Sequence, residues 1–336
     1  MRVRANETPE VAWDPEGLFK GTKKVGSYFK ESKAIDVPLE HALDPAFLSN
    51  HPIRPFKGKL SDTRKFKKVL AEKYMPVDVD LPNIRILHFD PPIFLIENVF
   101  TQEECSEIIE VLKSTGRMAQ STVGAGNLYS ATVKGSSRRT SSSVLINQEL
   151  QDAFPDVKKF ASTIQKKAFD IVQGDTLGVW GEPGKQPLFQ QYCFEALQAA
   201  EYQQGQHFLE HQDAFPTDIA DENRFQRHAT VLLYLNDVES GGETKFNHLG
   251  ISVKPKAGSI LLFFPAFSDG TPDERTLHTA TDANDIKWVT QQWIARGFNR
   301  AMKSHREIQQ GEKVGILRRS RKERKSKSGF SKGFSS

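Results

Sequence analysis

The apolar positions of this chain change their period partway along. Between Thr101 and Gly116 they recur three and four residues apart, with Cys105, Ile108, Ile109 and Leu112 forming one stripe. Thr101 and Glu104 precede that stripe at capping-box spacing, and Gly116 stands where a helix stops, so the pattern predicts a helix here. A second helix is predicted over about 157–172, where Val157, Phe160, Ala161, Ile164, Ala168, Ile171 and Val172 keep the helical period and Pro155 sits near its start.

From about residue 188 onward the period falls to two, in short β-rich runs. Turn signals punctuate them: Gly205, Asn236 to Asp237, Gly241 to Gly242, Gly258, and Asp269 to Pro272. ATVLLYLNDV reads as a strand, and SILLFFP is apolar without interruption, as in a strand buried on both faces. Many short strands punctuated in this way predict a sandwich or jelly roll.

The two ends of the chain follow neither pattern. Residues 1–88 are polar and proline-containing, without sustained periodicity, although Trp13, Phe19, Tyr28 and Phe29 are available to pack; they read as an N-terminal extension. Residues 301–336 hold eleven Lys or Arg against three Glu, and this surplus of +8 in a chain of net charge +4 leaves −4 for residues 1–300. The basic character belongs to the tail, so it does not support a nucleic-acid groove in the body. Such a tail has little to form a core and reads as disordered. It is either a solvated charged end or a nuclear-localisation or polyanion-binding segment.

Cys105 and Cys193 are the only cysteines, and both sit among apolar neighbours as buried free thiols do. The N-terminus lacks the apolar core of a secretory signal, and no run reaches transmembrane length. The expectation is a soluble intracellular protein, of cytoplasm or nucleus, with no membrane partner. The sequence does not specify its oligomeric state.

The chemistry is concentrated in GQHFLEHQDAF and TLHTATDANDIKW. A strand sends residues i and i+2 to one face, so His211 and Asp213 present an imidazole and a carboxylate side by side, and His278 can complete a three-ligand site. The His-x-Asp spacing alone is a weak signal. Two histidines and one carboxylate on one face of an octahedral ion leave three positions open, the arrangement of non-haem Fe(II) oxygenases, and the motif contains no thiolates that would signal structural zinc.

Ordered blocks around these residues add specificity: PPIFLIENVFTQEECSEIIEVL, RRTSSSVLI, EALQAAEYQQGQHF, RHATVLLYLNDVESGGETKF, VKPKAGSILLFF and KWVTQQWIARG. Together they resemble the catalytic domain of the prolyl 4-hydroxylases, a branch of the Fe(II)- and 2-oxoglutarate-dependent dioxygenases, over about residues 89–300. The resemblance implies a catalytic domain at 89–300 between the extension (1–88) and the tail (301–336). It implies an α+β, mainly β fold, a double-stranded β-helix (jelly roll, cupin-like) with supporting helices. Fe(II) is then bound by His211, Asp213 and His278, with 2-oxoglutarate and O2 as cosubstrates and ascorbate expected as in the family. A proline-containing peptide is hydroxylated while 2-oxoglutarate leaves as succinate and CO2.

By the same resemblance Lys287 anchors the far carboxylate of 2-oxoglutarate, with Tyr202 and Thr244 donating hydrogen bonds. Trp293 matches a tryptophan of the pocket wall, and Arg227 and Phe208 stand near the peptide. Two departures stand out. Lys287 follows His278 by nine residues where animal collagen enzymes usually have ten, and Phe208 occupies a position where relatives often have a tyrosine facing the substrate. The second keeps open an oxygenase acting on another side chain or a small molecule; an inactive barrel recruiting a polyanion through its tail is a further alternative. His207, His228 and His248 are not needed as ligands and are assigned surface or supporting roles.

Overall fold

The computed structural model describes residues 10–11, 42–123, 133–134 and 137–298. Trp13, Phe19, Tyr28, Phe29 and the basic segment 301–336 lie outside the described residues.

Two short helices open the described body: α1 (Pro45–Asn50) and α2 (Thr63–Lys73). The Asp62 side chain caps α2 by accepting from the Lys65 amide at 3.0 Å, which satisfies one of the orphan donors of the first turn. Only Phe66 and Leu70 of α2 are buried, one turn apart among lysines, so no apolar stripe runs far enough to stand out in the sequence. They nonetheless fix the helix to the body, because Phe66 stacks on Phe89 at 4.8 Å. Strand β1 (Ile84–His88) then pairs with β2 (Ile93–Ile96). Residues 42–88, read from the sequence as extension, thus supply two helices and a sheet strand.

Helix α3 (Gln102–Ser114) starts at the expected capping box: the Glu104 amide donates to Thr101 Oγ1 at 3.1 Å, and the Thr101 amide donates to Glu104 Oε2 at 2.8 Å. Cys105, Ile108 and Leu112 are buried, and Gly116 follows at φ +61°. Strands β3 (Ala119–Gln120) and β4 (Ser142–Ile146) come next, then helices α4 (Gln148–Ala153) and α5 (Pro155–Ile171). Proline opens α5 in its first turn, where the missing N–H costs nothing. The rest of the described body is β5 (Tyr192–Phe194), β6 (Leu197–Tyr202), β7 (Phe208–His211), α6 (Thr217–Asn223), β8 (Phe225–Tyr234), β9 (Thr244–Phe246), β10 (Ile251–Val253), β11 (Ile260–Phe263), β12 (His278–Ala280) and β13 (Lys287–Gly297).

These strands form two antiparallel sheets. The larger has the order β1-β2-β11-β8-β13-β6-β4-β3, with β5 added on β13; the smaller has the order β7-β12-β9-β10. Side-chain alternation divides the core in two. Val231 and Leu233 of β8, Ile260 and Leu262 of β11, and Trp288 and Ile294 of β13 pack with Cys105, Ile108 and Leu112 of α3 and with Val157, Ala161 and Ile164 of α5. Their neighbours Leu232, Tyr234, Leu261, Phe263 and Val289 face the other way and pack with Phe246, Ile251, Val253 and Ala280 of the smaller sheet. SILLFFP is accordingly buried on both faces. Two facing sheets with helices on the outside of the larger one make the double-stranded β-helix. Among the described residues no helix is long and apolar enough to cross a membrane.

Candidate active site

His211 ends β7, Asp213 lies two residues beyond it, and His278 begins β12, the strand paired with β7 so that His211 and His278 are directly opposite. One ligand atom from each of the three lies within 4.8 Å of the others. His211 Nε2 is 3.7 Å from Asp213 Oδ1, and His278 Nε2 is 4.0 Å from Asp213 Oδ2.

The backbone sets which nitrogen faces inward. His211 Nδ1 donates to the Leu209 carbonyl at 2.8 Å, and His278 Nδ1 donates to the Thr276 carbonyl at 3.0 Å. A carbonyl can only accept, so the proton of each neutral ring sits on Nδ1 and each Nε2 presents a lone pair to the shared space. Burial, reinforced by neighbouring His278, pushes His211 down to about 3, which keeps that lone pair available throughout the neutral range. Burial acts against ionisation of Asp213, but His278, His211 and Arg227 beside it and the Thr230 hydroxyl hold its carboxyl below the ordinary value. Asp213 Oδ2 accepts from Thr230 Oγ1 at 2.7 Å and from Gln291 Nε2 at 2.9 Å.

A bulge in β8 makes part of this geometry. Arg227 pairs with Ala295 and Ala229 with Ile294, which leaves His228 as the extra residue. Arg227 and Thr230 therefore both address Asp213, Arg227 Nη1 donating to its backbone carbonyl at 3.3 Å. Phe208 stacks on His211 with ring centroids 3.5 Å apart, and the Arg139 guanidinium lies 4.8 Å above the Phe208 ring.

Lys287, Val289, Gln291 and Trp293 are alternate residues of β13 and share its inner face. Lys287 is 2 % exposed, donates to the Gly242 carbonyl at 2.7 Å, and has Tyr202 and Tyr234 rings 5.1 and 5.8 Å from Nζ. Among the described residues no carboxylate lies within ion-pair distance of it, and burial drives its ammonium down to about 7 although Glu243 acts in the opposite sense. Tyr234 donates to Thr244 Oγ1 at 2.8 Å. Glycine is needed at the turn that brings Gly242 and Thr244 here, since Gly241 has φ +71° and a Cβ on it would meet the Asp282 carbonyl at 2.3 Å.

Arg227 is not a free guanidinium. It forms two 2.8 Å bonds to Glu195, from Nε to Oε1 and from Nη2 to Oε2, and lies 3.8 Å over the Trp293 ring and 4.6 Å over Phe215. Trp293 therefore stands on the Arg227 side of Gln291, with Lys287 at the opposite end of the inner face. His207, His228 and His248 stay out of the triad: His207 Nδ1 bonds Asp282 Oδ1 at 2.8 Å, His228 is buried beside Tyr192, and His248 Nε2 lies 3.4 Å from Glu210 Oε1. Thr230, Tyr234, Gln291 and Glu195 did not emerge from the sequence. The inner-face periodicity of β8 and β13 was the available signal for the first three, whereas Glu195 lies in the short break between β5 and β6, both paired with β13, and gave none.

Two lone-pair nitrogens and a carboxylate held ionised, with no thiolate among them, are a donor set suited to Fe(II). A buried lysine without a carboxylate partner suits an anionic cosubstrate, because an uncompensated buried charge costs several kcal/mol. The comparisons with known proteins give the class. Residues 197–295, from β6 to β13, match the 2OG-Fe(II) oxygenase superfamily. Probable prolyl 4-hydroxylase 3 of Arabidopsis thaliana is 30% identical over 232 residues, covering 63% of this chain and 72% of the relative. Probable prolyl 4-hydroxylase 10 of the same plant is 31% identical over 231 residues, covering 63% and 71%. A solved viral collagen prolyl hydroxylase of Paramecium Bursaria Chlorella virus-1, a 2OG complex, aligns with a TM-score of 0.43 and 21% identity over 61% of this chain and 96% of that one.

The protein is an Fe(II)- and 2-oxoglutarate-dependent dioxygenase. Within that superfamily the chain belongs to the prolyl 4-hydroxylase family.

Proposed function

We propose that this protein hydroxylates proline at C4 in a peptide or protein substrate, with Fe(II) bound by His211, Asp213 and His278. The observation that carries this reading is the sharing of one interior by two sets of groups. A carboxylate flanked by two inward-facing imidazole lone pairs lies in the same barrel as Lys287, a buried amine that among the described residues bonds only the Gly242 carbonyl.

When bound, the metal and 2-oxoglutarate supply the activation of O2, with the cosubstrate leaving as succinate and CO2. The residues of this chain do the rest. Leu209 and Thr276 carbonyls hold the Nδ1 protons and so aim both Nε2 atoms at the ion. Thr230 and Gln291 occupy Asp213 Oδ2, which leaves Oδ1, 3.7 Å from His211 Nε2, as the oxygen that would hold the ion. Lys287, assisted by the Tyr234–Thr244 hydroxyl pair and lined by Tyr202, takes the far carboxylate of 2-oxoglutarate. The apolar interior formed by Leu232, Phe246, Phe263 and Val289 excludes water from it. Arg227 on Trp293, together with Phe208, forms the peptide-facing wall. Glu195 holds the guanidinium rigid against the Trp293 and Phe215 rings.

The reading is tested by supplying Fe(II), ascorbate, 2-oxoglutarate and a broad set of proline-containing peptides, then measuring succinate and the gain of one oxygen atom by mass spectrometry. A peptide hydroxylated at C4 of proline, with both products lost in His211→Ala, is the expected result. Succinate formation with no peptide modified across the set removes the proline assignment and leaves the oxygenase class intact. The basic segment 301–336 is proposed to make any polyanion contact, separable from turnover by deleting it.

A further inference from the structure

Arg275 and Asp273 are both fully buried, lie just before His278, and belong to no part of the site described above. The Arg275 fork grips Asp273 through Nε at 2.8 Å and Nη2 at 2.7 Å. The remaining donors of the same guanidinium reach back to the start of the described chain. Nη1 donates to the carbonyls of His51 (3.2 Å) and Pro52 (2.8 Å), and Nη2 donates to the Tyr74 hydroxyl (2.8 Å) and lies 3.0 Å from Asp90 Oδ1. Asp90 is held in turn by Lys73 at 2.8 Å. Two cations therefore meet two carboxylates, so the network is neutral and its buried charges are compensated.

The other side of the network touches the metal ligands. Asp273 caps, and Arg275 lies within, a 3-10 turn, Glu274–Thr276, whose last carbonyl is the one that holds His278 Nδ1. The Asp273 carbonyl accepts from Thr276 Oγ1 at 2.8 Å and from Gln212 Nε2 at 2.9 Å. Gln212 stands between the two ligands of the other loop, and its Oε1 accepts from the Asp213 amide at 3.2 Å. One buried guanidinium thus connects residues 51–90, which lie outside the matched superfamily segment, to both loops that carry the triad.

We propose that Arg275 is a positioning residue through which the segment 51–90 sets the orientation of His278 and the affinity of the metal site. The inference rests on the triad binding a divalent ion. The N-terminal segment is then an integral part of the metal centre, and loosening its grip on Arg275 weakens the site without removing any ligand.

The test uses the full chain with Co(II) as the probe, titrated by its visible absorption, together with 15N NMR of the histidine rings in the metal-free protein. Arg275→Lys removes the fork but keeps a cation, and Tyr74→Phe removes one hydroxyl and perturbs folding far less. His211 is the internal control, since its Nδ1 proton is held by Leu209 and not by this network. The expected result is a Co(II) dissociation constant raised ~10- to 100-fold in Arg275→Lys, the range for lost outer contacts of a metal site, and raised less in Tyr74→Phe. His278 loses its single Nδ1–H tautomer while His211 keeps its own.

Unchanged Co(II) affinity and an unchanged His278 tautomer in both variants, with only a lowered Tm, overturn the proposal and make the network purely structural. Loss of order at His211 and His278 together also overturns it, because the effect is then general loosening. Failure of the triad reading looks different: the wild-type protein itself takes up no Co(II) that His211→Ala abolishes.

Discussion

Gln291 Nε2 donates to Asp213 Oδ2 over 2.9 Å, bringing together residues separated by 78 positions in the chain. With Thr230 on the same oxygen, this bond fixes the carboxylate plane before any ion is bound. The tethering of Asp213 from β8 and β13 together makes the site a property of the closed barrel and not of the His-x-Asp segment.

Gln291→Leu removes that donor with little change in volume. A single buried hydrogen bond contributes about 1 kcal/mol to stability, so the fold survives, whereas metal affinity falls ~10- to 100-fold. Titration with Fe(II) under anaerobic conditions, alongside thermal unfolding of the metal-free protein, measures the two effects separately.

Lys287→Met separates cosubstrate binding from stability. Loss of a charge-assisted hydrogen bond costs about 1.5–3 kcal/mol, which raises the KM for 2-oxoglutarate ~10- to 100-fold. In thermal shift assays 2-oxoglutarate protects the wild type and leaves this variant unmoved.

The pH dependence of the same lysine runs in a defined direction. In the folded protein without a bound carboxylate, burial has lowered Lys287 to about 7, whereas the unfolded chain keeps its proton up to about 10.4. Between these values the unfolded state binds more protons, so the contribution of Lys287 to stability rises with pH; its destabilisation is full below the lower value and relieved at the upper. Lys287→Met is therefore expected to have the higher Tm at pH near 7 in the absence of cosubstrate. Its advantage shrinks as the pH approaches the upper value, as a series of melting curves will show.

Arg227→Lys loses both the fork onto Glu195 and the flat stack on Trp293, which an ammonium cannot reproduce. The KM for peptide should rise ~10-fold, corresponding to the lower end of a charged hydrogen bond. Peptide-independent succinate formation should fall less than peptide turnover, because Arg227 reaches Asp213 only through a 3.3 Å bond to its backbone carbonyl, and lysine keeps a positive charge beside that carboxylate. Steady-state kinetics with peptide and 2-oxoglutarate varied in turn distinguish the two.

Phe263 packs edge-on against both His278, at 4.8 Å between ring centroids, and Phe246, at 5.2 Å. Phe263→Ala opens a cavity behind a ligand and costs about 3–5 kcal/mol. Denaturant unfolding reports the stability loss, and the Co(II) spectrum reports the His278 ring gaining freedom.

The sequence by itself determined what local spacing can encode. The capping box at Thr101, the stripe on α3 and the period of α5 specify those helices, and period two after residue 188 specifies a strand-rich half. His-x-Asp with a distant histidine specifies a candidate donor set, because a strand must send His211 and Asp213 the same way. Residues 42–88 went unread as structure since α2 buries only Phe66 and Leu70, and β1 declares itself only by pairing with β2. Tertiary structure alone decided which nitrogen of each histidine faces inward and that Gln291 and Thr230 share one oxygen of Asp213. It also decided that Arg227 is clamped by Glu195 and that Arg275 ties residues 51–90 to His278. The physical reason is the same in each case. Helix and strand periods are set by neighbours a few residues apart, whereas a buried polar group must be satisfied by whichever donor or acceptor the closed barrel brings to it, however far away in the chain.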